Sequence, residues 1–298
     1  MTRTAAAPAA DAAIRIGSRS FAIASRLFDR ETRYRVWALY AWCRRCDDVI
    51  DGQLMGHGPI GASDNRAALE GLRTATDRAL AGATDGPEPF AGLARAAVAT
   101  GLPTEYPRAH LDGFAMDVEH RTYETLDDTL DYCYHVAGVV GLMMAWLMGV
   151  RDAPTLQRGC DLGLAFQLTN IARDVADDAK AGRVYLPAAW LRDAGGTAGA
   201  AELMSAANRE PLVRAVARVL DEADRYYASA EVGIARLPFR CAWAVGTARL
   251  VYADIGHQVR RRGGDAWTRR SVVPTSRKLL RMAQALGETV WARRTVLV

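Results

Sequence analysis

Apolar residues recur three and four positions apart through most of the chain, the spacing of one face of an α-helix. Within 33–51, Val36, Leu39, Tyr40, Cys43 and Val49 fall in this register. The same period predicts helices over 66–81, 107–121, 126–148, 156–177, 212–236 and 241–262. Glycine and proline punctuate between them, at Gly56-His57-Gly58-Pro59, Gly86-Pro87, Gly195-Gly196 and Gly263-Gly264. No alternating strand pattern and no repeat of solenoid length competes with this reading. The pattern predicts an all-α fold of about ten helices in a single domain over 1–298. The Ala-rich stretch 1–13 reads as a frayed terminus, and 52–65 as the longest loop.

The stretch 136–150 carries no charge. It is shorter than the roughly 20 residues that a membrane crossing needs, so it is expected inside the core, where a helix can be apolar all round. Gly138 and Gly141 lie in it, and each costs a helix about 1 kcal/mol against alanine. Two explanations stand: close helix–helix packing, or a cavity kept open for a long ligand.

The polar positions contain two unusual runs. In Asp47-Asp48-Val49-Ile50-Asp51, Asp47 and Asp51 are one turn apart and share a face, and Asp48 lies about 100° round. In the second run, Asn170, Asp174 and Asp178 repeat every four residues, one oxygen-rich stripe beside Phe166, Leu168, Ile171 and Val175. Carboxylates stacked in this way repel one another and need a counter-charge. Magnesium takes one or two carboxylates and completes its shell with water and phosphate oxygens, so two such stripes suit metal ions held between protein and a diphosphate. Arginines adjoin both runs, Arg44 and Arg173, and Arg269-Arg270 follow the Gly263-Gly264 turn. The guanidinium fork matches phosphate oxygens. Ser18-Arg19-Ser20-Phe21 adds hydroxyls and a cation.

Composition narrows the partners. With 38 basic and 34 acidic residues the net charge is +4, too small to call for nucleic acid; Arg260-Arg261-Arg262 reads as solvated surface. Five cysteines, an odd number within predicted helices, read as reduced thiols of a cytoplasmic chain without a secretory signal. Cys43 and Cys46 form a C-x-x-C with no second pair, and helix packing accounts for them.

Taken together, these motifs resemble those of the squalene/phytoene synthase family, most of all its bacterial phytoene synthase branch. The run Tyr40-Ala41-Trp42-Cys43-Arg44-Arg45-Cys46-Asp47-Asp48-Val49-Ile50-Asp51 is similar to the family's first aspartate motif. Gln167-Leu168-Thr169-Asn170-Ile171-Ala172-Arg173-Asp174-Val175-Ala176-Asp177-Asp178, followed by Gly182-Arg183-Val184-Tyr185-Leu186-Pro187, is similar to the second. Tyr132-Cys133-Tyr134-His135-Val136-Ala137-Gly138-Val139-Val140-Gly141 resembles the helix between them, and Ser18-x-Ser20-Phe21 the N-terminal element.

The resemblance implies an isoprenoid-synthase helical bundle around a central apolar cavity. It implies head-to-head condensation of two prenyl diphosphates, geranylgeranyl diphosphate for the phytoene branch, with magnesium (manganese as a substitute) and no nicotinamide cofactor. Asp47, Asp51, Asn170, Asp174 and Asp178 are then the metal ligands. Asp48 orients a neighbour or reaches metal through water. Tyr40, Arg44, Arg173, Tyr252, Ser18, Ser20 and Gln167 surround the diphosphates, with Arg270, or else Arg269. Phe21, Tyr40, Tyr132, Val136, Val140 and Phe166 are candidates for the cavity wall. Within the family, a thirty-carbon synthase using farnesyl diphosphate is the alternative, and an inactive assembly protein on the same fold a second one. A lipid substrate makes peripheral contact with a membrane an expectation too.

Overall fold

The computed structural model describes residues 24–52 and 65–296. Ser18, Ser20 and Phe21 therefore lie outside the described residues, as do 1–13 and most of the 52–65 loop. The described residues contain twelve α-helices and no strand. In chain order they are α1 (Arg30–Asp51), α2 (Asn65–Leu80), α3 (Glu88–Thr100), α4 (Glu105–Val118), α5 (Leu126–Cys133), α6 (Val139–Leu147), α7 (Ala153–Lys180), α8 (Ala188–Asp193), α9 (Ala200–Leu203), α10 (Arg209–Ile234), α11 (Phe239–Arg262) and α12 (Thr275–Val296).

The two helices that carry the acidic runs are fixed at their N-termini by side-chain caps. Asp29 accepts from the backbone N–H groups of Glu31 and Thr32 ahead of α1, and Asp152 from Thr155 in the first turn of α7. Each cap satisfies donors that the helix leaves orphaned. At 28 residues, α7 is the longest helix described. It packs against α10, α6 and α11, and is the axis of the larger apolar cluster. A second cluster joins α1 to α2, α3, α4 and α6 around Trp42, whose indole N–H donates to Thr76 Oγ1 at 3.2 Å.

The predicted helix over 126–148 is continuous but not uniform. Residues Tyr134–Gly138 form a π-helical turn between α5 and α6. Such wide turns occur mostly as single bulges, often at functional sites. The whole run, Leu126–Leu147, is long and apolar enough to cross a membrane by length and composition, which the uncharged stretch alone was not. Its packing against α4 and α7 accounts for that apolarity.

Both explanations of the glycines hold. A Cβ on Gly141 would lie 2.0 Å from the Gly159 carbonyl oxygen, and one on Gly163 would lie 2.1 Å from that of Ala137. Helices α6 and α7 thus meet backbone to backbone. Gly141 and Gly163 also form part of a cavity wall, whereas Gly138 is off it and packs against Cys160.

Candidate active site

A cavity of about 980 Å³ runs along α7, enclosed by α1, α4, α5, α6, α10, α11 and the segment that joins α11 to α12. Its α7 wall extends from Thr155 to Asp178, about 35 Å at 1.5 Å per residue. The C-terminal halves of α1 and α7 form a charged end. The N-terminal half of α7 and the facing residues of α6 and α11 form a mainly apolar barrel, with Val140, Met144, Met148, Leu162 and Val245 on its wall.

The two acidic stripes face each other across the charged end. Asp47 and Asp51 line it from α1, and Asn170, Asp174 and Asp178 line it from α7. The four-residue spacing thus does what a helical face requires. Asp177, one position off the stripe, points to solvent and pairs with Lys180 at 3.1 Å. Asp48 is 4% exposed and is not part of the cavity wall. Its offset of about 100° from Asp47 carries it into the interface of α1, away from the cavity wall.

Arginines are interleaved with these carboxylates. Arg44 pairs with Asp47 and lies close to the Tyr40 hydroxyl. Arg173 binds Asp174 through Nε at 2.8 Å and through Nη2, and Arg270 reaches the same carboxylate at 3.0 Å. Arg270, not Arg269, lies on the cavity wall. Arg183 donates to Asp51 Oδ1 at 3.0 Å, a bridge between the loop after α7 and the end of α1.

The electrostatics of this end are unfavourable for so many anions. Burial pushes Asp47 up to about 6; Arg44 opposes the rise, and Asp51, Asp48 and Asp117 add to it. Burial and the neighbouring Asp174 push Asp178 up to about 8. The Asp47 side chain is 42% accessible, but it opens into the cavity rather than onto the outer surface. Two further polar atoms there are buried and lack a hydrogen-bond partner among the described residues: Arg44 Nε and Asn170 Oδ1. Buried polar groups are nearly always paired in native proteins, so an orphan acceptor beside raised carboxylates fits a cation, and an orphan guanidinium N–H fits an anion. No group of three or more metal-ligating side chains converges among the described residues.

Tyr132, Val136, Val140, Phe166, Gln167 and Tyr252 all line the cavity. The Phe166 and Tyr252 rings lie 4.3 Å apart, centroid to centroid. Sequence reasoning missed Asp117. Its carboxylate accepts from the Tyr132 hydroxyl at 3.1 Å and the Tyr185 hydroxyl at 2.8 Å, and these two rings stack at 4.5 Å. Burial raises Asp117, while Arg183 and the two phenols oppose that rise. One carboxylate in a predicted amphipathic helix gives no signal; its pairing with Tyr185, 68 residues away, exists only in the fold. Cys43 also lines the cavity, but burial pushes its thiol up to about 12, which leaves it protonated and inert.

An all-helical bundle with a diphosphate-suited end and a long apolar barrel is the isoprenoid-synthase architecture, and residues 14–278 match the squalene/phytoene synthase family: the chain belongs to it. Its relatives point to one branch. It is 50% identical over 281 residues to a phytoene synthase of Pseudescherichia vulneris, covering 94% of this chain and 90% of that protein. It is 49% identical to a 15-cis-phytoene synthase of Pantoea ananas, covering 93% and 90%. Among solved structures, a dehydrosqualene synthase in complex with ligand superposes with a TM-score of 0.81 at 26% identity, over 94% of this chain and 95% of the other.

Proposed function

We propose that this chain is a phytoene synthase that condenses two molecules of geranylgeranyl diphosphate head to head. The observation that carries the reading is the single cavity with two opposed acidic stripes at one end and an apolar barrel running about four turns of α7 away from them, from Asn170 back to Thr155. The names of its half-identical relatives support the phytoene branch.

The first substrate loses diphosphate to give an allylic cation. The second substrate's double bond attacks it, a proton leaves, and a cyclopropylcarbinyl diphosphate forms. Loss of its diphosphate, rearrangement and loss of a second proton give the conjugated triene of phytoene. Two substrates thus yield one hydrocarbon, two diphosphates and two protons, with no reductant consumed.

Diphosphate departs only when its developing charge is neutralised. Arg44, Arg173 and Arg270 are placed to bind its oxygens and to hold that charge in a site already arranged for it. Asp47, Asp51, Asn170, Asp174 and Asp178 would hold magnesium, and bound magnesium supplies Lewis-acid neutralisation of the leaving group. The apolar barrel keeps water from the cation, and the faces of Phe166 and Tyr252 stabilise positive charge. Asp117 acts as a positioning residue, fixing the stacked Tyr132 and Tyr185 rings where the charged end meets the barrel.

Product analysis tests the reading. Purified protein given geranylgeranyl diphosphate and magnesium, without nicotinamide cofactor, is expected to form phytoene. A thirty-carbon hydrocarbon from farnesyl diphosphate alone would keep the mechanism and overturn the substrate. No condensation with either would overturn both.

A further inference from the structure

We infer that the outer face of α12 docks on an anionic lipid bilayer and holds the cavity rim against it. Helix α12 packs chiefly on α11, through the buried Lys278, Ala285 and Thr289 and a hydrogen bond from the Trp243 indole to the Met282 carbonyl at 2.8 Å. The opposite face is where a surface helix ordinarily carries its polar residues. Here it carries Leu279, Leu280, Ala283, Gly287, Val290 and Trp291, all exposed, within an arc of about 120° at 100° per residue. Leu280 is 58% exposed and Trp291 69%.

The charges around this stripe select its partner. The helix has five basic residues and one acid, Glu288, and that acid is held by Arg249 at 3.0 Å. Arg277 and Arg281 both bind the buried Asp254, so one positive charge of that cluster is left over. Arg293 and Arg294 are exposed in the helix's last turn, Arg293 also donating to the Leu237 carbonyl at 2.9 Å. An apolar stripe with cations and no free anion is the pattern of a helix that lies in the interface of an anionic membrane, and tryptophan favours that depth.

The stripe begins at the cavity mouth. Val272 is 66% exposed and also lines the cavity, as do Val273 and, in the first turn of the stripe's own helix, Lys278. On the function proposed above, the product has shed both diphosphates and has no favourable route through water. A rim set against lipid gives it one.

The test uses the full chain, without substrate, so it succeeds or fails independently of the proposed reaction. Vesicles of phosphatidylcholine with phosphatidylglycerol are expected to co-sediment the protein, and vesicles of phosphatidylcholine alone to do so more weakly. Leu280→Glu and Trp291→Glu are each expected to weaken binding by about tenfold, since each loses a buried apolar side chain, with circular dichroism unchanged. Val98→Glu, on an exposed apolar residue of α3, is the control and should bind as the parent does. Trp291→Phe should remove the blue shift of tryptophan fluorescence seen on vesicle addition. The inference is overturned if the α12 variants bind as tightly as the parent, or if the parent binds neither vesicle. It is equally overturned if the parent is a dimer in solution that either glutamate substitution dissociates, since the face then belongs to a second copy.

Discussion

The charged end and the apolar barrel of the cavity share helix α7, yet they are built on opposite principles. In the barrel, stability and shape agree: α7 touches α6 at Gly141 and the π-helical turn at Gly163, backbone to backbone, and tight packing leaves no slack for an added methyl. At the charged end they conflict. Asp47 and Asp178 are both held well above an ordinary carboxylate, so each stays partly protonated until a cation arrives. The comparison separates residues that stabilise the fold from residues the fold tolerates for the sake of chemistry, and substitutions should sort accordingly.

The largest effect is expected at the charged end. Asp47→Ala and Asp174→Ala should each reduce turnover by about a thousandfold or more, the scale seen when a key charge-stabilising group is removed, with the fold retained. Steady-state assay with circular dichroism checks this. The two should differ in stability. Asp47→Ala relieves repulsion and strands only Arg44, whereas Asp174→Ala leaves both Arg173 and Arg270 without their shared partner. Next comes the barrel. Gly163→Ala should destabilise by roughly 3 kcal/mol, at the upper end of overpacking costs because the obstacle is a backbone carbonyl, as chemical denaturation would show.

Asp117→Asn sits where the two regions meet. It keeps the shape but removes an acceptor for one of two phenols, and should lower kcat by about tenfold to a hundredfold with little change in melting temperature. Asp178→Asn should have a smaller effect on metal-free stability, and of opposite sign to the glycine variant. The folded value near 8 lies above the ordinary 3.8. Stability from this proton is therefore complete below about pH 4 and is lost as pH rises through 8. The asparagine variant should gain on the parent over that window, reaching roughly 2–4 °C in Tm at pH 8, the shift that about 1 kcal/mol gives in chains of 150–250 residues. Cys43→Ser should change least, in activity and in stability alike.

Much of this division was legible in the sequence. Period-3.6 patterning placed α1, α2, α4, α7, α10 and α11 to within three residues at either end, because each buries one apolar face. The helices it missed lack that signal. The alanine-rich α3 is short and largely buried, so it presents no polar side to set the period. The packed face of α12 is Lys278, Ala285 and Thr289 while Leu279, Leu280 and Trp291 face outward, which inverts the pattern that sequence reading relies on. At the site, the stripe Asn170–Asp174–Asp178 was readable because one helix carries it. Asp117 was not, since its partners Tyr132 and Tyr185 come from α5 and from the loop after α7, and only packing brings them together. The identity of the arginine near the C-terminus also needed the fold, which turns Arg270 to Asp174 and leaves Arg269 outside.

The central claim is that the facing stripes on α1 and α7 form one metal-diphosphate site. Calorimetric titration with a non-ionising thio-diphosphate analogue of geranylgeranyl diphosphate, with and without magnesium, tests it most directly. Magnesium-dependent binding is expected, weakened measurably by Asp47→Ala and by Asp174→Ala, with the double variant no worse than each single one, as groups acting as a unit require. Binding that ignores magnesium, or losses that simply add between the two variants, would contradict it.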